Sequence, residues 1–163
     1  MNTIALEQII AEGYRQSREG NRTGDTGHEL SCIRSYIRHA ERIVVPNHST
    51  EKVTAINETL QEFGIRSAEH LCIPTTSPDL TRMPAVSKAL LALDITGADL
   101  VIARGRLGIP GSGSMLVILD SRGRILSAAL SPPHVIHQKP VTDAVRDEMN
   151  DALLRIGLRK TQP

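Results

Sequence analysis

In Arg42-Ile43-Val44-Val45-Pro46-Asn47-His48-Ser49-Thr50-Glu51-Lys52-Val53 a short β-branched run gives way to a polar turn and then to a helix start. Ile43, Val44 and Val45 leave no polar position on either face, the composition of a strand buried on both sides. Asn47, Ser49 and Thr50 offer N-cap side chains, and Glu51 puts an anion in the first turn, where the helix dipole favours it. The helix continues through Val53, Ile56, Leu60 and Phe63 and is expected to stop at Gly64.

Reading outward toward the C-terminus, His70-Leu71-Cys72-Ile73 is a second strand, ended by Pro74, and Thr75 to Arg82 is a polar loop. Pro84 suits the first turn of a helix running to about Leu93. Asp99-Leu100-Val101-Ile102-Ala103 is a third buried strand. Strand, helix, strand, helix, strand predicts a parallel core with right-handed crossovers. Met115 to Asp120 and Arg124 to Leu130 then form two strands joined by the glycine turn Ser121-Arg122-Gly123. Pro132-Pro133 ends the second, and Val141 to Ile156 is a closing amphipathic helix carrying Val145, Met149, Leu153 and Ile156 on one side. The expected fold is α/β, a mixed central sheet with a parallel βαβαβ core plus a β-hairpin.

Toward the N-terminus, Thr3 to Glu19 and His28 to Ala40 read as helices around the polar loop 21–27. Arg34, Arg38 and Arg42 fall four apart and are expected on one helical face, solvated or turned to a ligand. Residues 1–41 are expected to pack as a helical segment on a single domain, 1–163, a length within the usual range for one core.

Lys plus Arg number 19 and Asp plus Glu 18, a net charge of +1, so no overall basic field holds a nucleic-acid backbone. Tyr14, Tyr36 and Phe63 are the whole aromatic set, too few for stacking on single strands. No apolar stretch approaches the ~18 residues of a membrane span, and no signal-peptide series opens the chain. A cytoplasmic protein without nucleic-acid or membrane partners is expected. Cys32 and Cys72 stand outside any CxxC and read as small buried hydrophobes. Arg supplies 15 of the 19 cations. Its planar fork suits phosphate, and a compositional bias explains the count equally well.

Three stretches could carry chemistry. At Asn47 to Lys52, helix-start amides without internal partners favour an anion, with Asn47, Ser49 and Thr50 as neutral donors and Lys52 as a mobile charge. Plain N-capping beside a surface lysine accounts for the same residues. In Arg104-Gly105-Arg106-Leu107-Gly108-Ile109-Pro110-Gly111-Ser112-Gly113-Ser114, four glycines follow a strand and let a ligand approach the main chain. Open α/β sheets bind ligands beyond the carboxyl ends of their strands, where this loop falls. In Ser131-Pro132-Pro133-His134-Val135-Ile136-His137-Gln138-Lys139, a rigid segment presents His134, His137 and Lys139 for hydrogen bonding. A metal there would want a third ligand that is not at useful spacing. Phosphoryl transfer on a nucleotide usually employs Mg²⁺, for which Asp94 and then Asp120 are the candidate carboxylates.

Val44 to Val53, with Ala55-Ile56-Asn57-Glu58-Thr59-Leu60 behind it, resembles the opening of inosine/xanthosine triphosphate pyrophosphatases. In that family an Asn and a Lys in this turn cradle purine-nucleotide phosphates, which implies nucleotide binding at Asn47 and Lys52. Gly97-Ala98-Asp99-Leu100-Val101-Ile102 and the hairpin to Leu130-Ser131-Pro132 are similar in order, whereas Arg104 and Arg106 stand where those hydrolases place an acidic metal ligand. A resemblance over nearly the whole chain lies in Ala98 to Met115 and in Ser131-Pro132-Pro133-His134-Val135-Ile136-His137. These segments are similar to the methanogen guanylyltransferase family of iron-guanylylpyridinol (FeGP) cofactor biosynthesis, which serves [Fe]-hydrogenase. That resemblance implies a homodimer with an inosine triphosphatase-like fold that joins GTP to a substituted 4-hydroxy-2-pyridone and releases pyrophosphate.

The expected assignments follow from residues and resemblance together. Asn47, Ser49, Thr50 and Lys52 take the triphosphate. Arg104 and Arg106 stabilise the leaving pyrophosphate. Gly105, Gly111, Ser112 and Gly113 give the nucleotide backbone donors or close approach, and His134, His137 and Lys139 border the pyridinol. Two alternatives stay open at this level, a pyrophosphatase of non-standard purine nucleotides and a non-catalytic nucleotide-binding or assembly protein.

Overall fold

The computed structural model describes residues 3–74, 82–132, 136 and 138–161. Helices α1 (Thr3–Glu19) and α2 (Gly27–His39) precede strand β1 (Ile43–Pro46), helix α3 (Thr50–Glu62), strand β2 (Glu69–Leu71) and helix α4 (Pro84–Thr96). Strands β3 (Leu100–Arg106), β4 (Ser114–Asp120) and β5 (Ile125–Ser131) and helix α5 (Val141–Arg155) complete the order. The five strands form one sheet in the order β2-β1-β3-β4-β5. β2, β1 and β3 run parallel, and β4 and β5 are antiparallel additions. The expected α/β class and mixed sheet are thus observed.

Period-two alternation along the strands builds two cores. Ile43 and Val45, Leu100 and Ile102, and Leu116 and Ile118 face α3 and α5, where Val53, Ile56, Leu60, Val145, Met149 and Leu153 meet them, with Tyr36 and Ile37 of α2. Val44, Val101, Ala103, Val117 and Leu119 face the opposite way, onto Ala85, Ala89 and Ala92 of α4. The chain leaves β1 through α3 to one side of the sheet and returns from β2 through α4, past β1, to β3. The two crossovers travel in opposite directions. With one handedness for both, α3 and α4 must lie on opposite faces. The reversal leaves a crevice at the carboxyl ends of β1 and β3.

Several expectations change in detail. α4 runs on to Thr96 and is closed by Gly97 in the left-handed region, φ 63°. β2 begins at Glu69 and ends at Leu71, so Cys72 leaves the sheet and is exposed, while Cys32 is buried as expected. Arg42 lies beyond α2, which ends at His39, and so does not share a helical face with Arg34 and Arg38. Arg34 instead donates Nη1 to the Ile156 carbonyl at 2.9 Å, closing the C-terminal end of α5. The glycine stretch after the third strand begins as sheet: Arg104, Gly105 and Arg106 pair with Leu116, Met115 and Ser114. Among the described residues no helix is long and apolar enough to cross a membrane.

Candidate functional site

The crevice is entered from β1 through Asn47. The residue is 4% exposed, and its side-chain Oδ1 accepts the Ser49 amide at 2.9 Å, so the polar turn closes on itself. The Asn47 carbonyl accepts His70 Nε2 at 2.8 Å, which ties the turn to β2. Ser49 is the N-cap of α3 and accepts the Lys52 amide at 3.3 Å. Thr50 is exposed, and its carbonyl accepts the Thr54 hydroxyl at 3.0 Å. The neutral donors of this turn therefore shape the helix start, and Lys52 projects from its first turn, half-buried. Burial lowers the Lys52 ammonium pKa most, and Arg104 lowers it further against the opposing pull of Glu148. A cation held this way is poorly hydrated and gains more from a phosphate than an exposed lysine does.

Arg104 reaches the same crevice from β3. Its Nε donates to Glu148 Oε1 at 2.7 Å, and its Nη2 donates to Glu148 Oε2 at 3.3 Å and to Ser114 Oγ at 2.9 Å. The Ser114 hydroxyl in turn donates to Glu148 Oε2. Glu148 is fully buried and the Arg104 side chain is 14% exposed. Arg104 also lines a cavity of about 200 Å³ with Gly111, Gly113, Ser114 and Pro132. A second cavity of about 340 Å³ shares Pro132 and Ala144 with the first and is bordered by Lys139, Asp147 and Asp151. The two adjoin, with Arg104 and the glycines at one end and Lys139, Asp147 and Asp151 at the other.

The loop between β3 and β4 is held from within. Leu107 donates its amide to Gly113 O at 2.9 Å, and the Ser112 hydroxyl donates to the Leu107 and Ile109 carbonyls at 2.9 and 2.6 Å. Arg106 Nε donates to the Gly108 carbonyl at 2.9 Å. Gly111 and Gly113 keep φ at 83° and 122°, which a side chain would resist, and both line the first cavity. Gly105 has a different reason: a Cβ there would stand 2.7 Å from the Ala85 backbone nitrogen, so its openness is filled by α4. Lys139 pairs with Asp147 at 2.5 Å, which raises its pKa. His134 and His137 lie outside the described residues.

Asp94 and Asp120 do not join the site. Asp120 pairs in register with Leu100, the first residue of β3, at the amino rim of the parallel strands. Its Oδ1 accepts the Arg122 and Arg124 amides at 2.9 Å and its Oδ2 accepts Arg124 Nε at 2.6 Å, so it closes the β4–β5 turn. Asp94 is exposed near the C-terminal end of α4, beside Ser121 and Arg122 at that same rim. Among the described residues no group of three or more His, Cys, Asp or Glu could hold a metal ion.

Glu148 and Ser114 escaped the sequence reading. The available signal was a carboxylate on the inward side of the closing helix, one turn from Val145 and next to Met149. Such a charge must be paired to be buried. The model of the family described as "FeGP cofactor biosynthesis protein HcgB, guanylyltransferase" matches residues 6–158, nearly the whole chain. The chain belongs to this family. The expected resemblance to the FeGP guanylyltransferases is thereby established, and with it the class of the reaction, guanylyl transfer in FeGP cofactor biosynthesis.

Proposed function

We propose that this chain transfers GMP from GTP to the hydroxyl of a substituted 4-hydroxy-2-pyridone and releases pyrophosphate. The observation that carries the reading is the pair of cationic side chains, Lys52 and Arg104, converging from α3 and β3 on the crevice where the sheet reverses. The acceptor oxygen attacks the α-phosphorus, the bond to the β-phosphate oxygen breaks, and pyrophosphate leaves with that electron pair. The hydroxyl proton goes to solvent, because an acidic ring hydroxyl ionises without a strong base.

Such a transfer rests on positioning and on charge stabilisation. Lys52 and the Thr50 and Glu51 amides at the start of α3 take the triphosphate, with Asn47 and Ser49 holding that turn in shape. Arg104 and Arg106 meet the charge growing on pyrophosphate. Gly111, Ser112 and Gly113 offer main-chain donors, with Gly105 keeping the strand close to α4, and His134, His137 and Lys139 border the pyridinol. Mg²⁺ accompanies GTP as part of the substrate, on the nucleotide's own phosphate oxygens. The working unit is a homodimer in the cytoplasm of a methanogen. The one buried carboxylate described at this rim, Glu148, is committed to Arg104 and Ser114, which supports transfer over metal-assisted hydrolysis.

The test is incubation with GTP, Mg²⁺ and the pyridinol, read by mass spectrometry for the guanylylated adduct. Adduct is expected, and Lys52→Met is expected to slow its formation by roughly 100-fold. Free GMP or GDP without adduct would replace the reading with hydrolysis. Thermal stabilisation by GTP without any product would make the chain a binding protein.

A further inference from the structure

Glu148 costs stability to bury. A carboxylate taken from water into the inner side of α5 loses hydration that one guanidinium only partly restores, and a hydrophobic trio of like volume is often as stable or more so. The triangle of Glu148, Arg104 and Ser114 therefore asks for a reason other than stability. Its product is geometric. Two bonds from Glu148, at 2.7 and 3.3 Å, fix the guanidinium plane, and the Ser114 hydroxyl bridges Nη2 to the same carboxylate. Nε and Nη2 are spent in this way, and Nη1 is the guanidinium nitrogen that neither Glu148 nor Ser114 uses. The cavity that Arg104 shares with Gly111 and Gly113 lies against this fixed side chain.

We propose that Glu148 is a positioning residue for guanylyl transfer, holding Arg104 at the orientation in which Nη1 meets the phosphate charge that develops as pyrophosphate leaves. The inference rests on the activity proposed above. It also has an electrostatic arm. The charged groups acting on Lys52 are Arg104 from β3, which opposes its protonation, and Glu148 from α5, which favours it. Without the Glu148 charge, Lys52 and Arg104 face each other uncompensated, and Lys52 loses its proton at lower pH.

Glu148→Gln keeps the shape and removes the charge; Glu148→Asp keeps the charge and shortens the reach. In the full chain, kcat is expected to fall about 100-fold in Glu148→Gln with the KM for GTP within about threefold, because the lost interaction belongs to the transition state. Glu148→Asp should recover about tenfold of that loss. The alkaline limb of the kcat/KM profile should move down by at least about half a pH unit in Glu148→Gln and stay in place in Glu148→Asp. A loss confined to KM, or an unmoved alkaline limb, overturns the proposal.

A readout without turnover separates this from failure of the activity itself. The Lys52 side-chain resonance, assigned by its disappearance in Lys52→Arg, is titrated by NMR in wild type and Glu148→Gln. No adduct from wild type would sink the transfer reading, while equal Lys52 midpoints in the two proteins would sink the Glu148 proposal whatever the activity. If Glu148→Gln does not fold, Ser114→Ala decides: a reduced kcat at unchanged KM supports positioning, and an unchanged kcat overturns it.

Discussion

Glu29 ties together three positions around the start of α2. Its Oε1 accepts the Thr26 amide at 2.7 Å while the Thr26 hydroxyl accepts the Glu29 amide at 3.1 Å, a reciprocal capping box. Arg22 adds two charge-assisted bonds to the same carboxylate, at 2.5 and 2.8 Å. The Arg22 guanidinium, and after it the Thr26 amide, hold the Glu29 carboxyl down at about 2. Because the folded state binds this proton less readily than the unfolded chain, whose carboxyl titrates near ~4.3, the contribution is complete above that value. It is lost as pH falls toward about 2. Glu29→Gln is expected to cost about 1 kcal/mol at pH 7, roughly 2–4 °C in Tm. The variant should approach wild type as pH is lowered from 5 to 2, a convergence that parallel melting curves check. Thermal midpoints that stay equally separated across that range would show the capping box to be independent of the charge.

At the scale of elements, the seating of α4 on β3 depends on what is missing. Ala85, Ala89 and Ala92 form the side of α4 that meets the sheet, and Gly105 removes the last Cβ between strand and helix. A methyl at Gly105 would stand 2.7 Å from the Ala85 nitrogen and 3.1 Å from its Cα, both backbone atoms that cannot rotate away. Gly105→Ala should therefore destabilise by about 1–3 kcal/mol, read as a lower urea midpoint at unchanged m-value. An unaltered midpoint would mean that α4 sits on β3 with slack.

The same elements show how much could be read in advance. Ile43 to Val45 and Leu100 to Ala103 announced buried strands because both faces of each strand are apolar. The start of α3 has several candidate caps between Asn47 and Thr50, of which Ser49 is the one used, and Gly64 marks its end to within two residues. The last three residues of β3 were hidden, since Arg104, Gly105 and Arg106 have no strand-like pattern. They are strand because β4 pairs with them and because α4 requires the glycine. At the site, Lys52 and Arg104 could be singled out as cations after strands. Glu148, forty-four residues beyond Arg104, could not be joined to it by any local spacing.

Across the whole molecule, the site's place follows from topology before chemistry. The reversal between the β1–α3–β2 and β2–α4–β3 crossovers opens one crevice, and the carboxyl rim there holds the start of α3 and the end of β3. The amino rim is built oppositely: Asp99 Oδ2 accepts the Glu41 and Arg42 amides at 3.1 and 2.9 Å, and Asp120 closes the β4–β5 turn. One rim thus presents Lys52, Arg104 and the start of α3, while at the other Asp99 is satisfied by main-chain amides and Asp120 by main-chain amides together with Arg124. GTP with Mg²⁺ should accordingly move backbone amide resonances at residues 49–52 and 104–114 and leave those at 94–100 and 120–124 in place. Lys52→Met should weaken the first set by requiring roughly tenfold more GTP for half-saturation. If the largest shifts fell at 94–100 and 120–124 instead, the nucleotide would be bound at the amino rim. Asp94 and Asp120 would then regain their claim on the metal, and the cationic pair at the sheet's reversal would be left without a ligand.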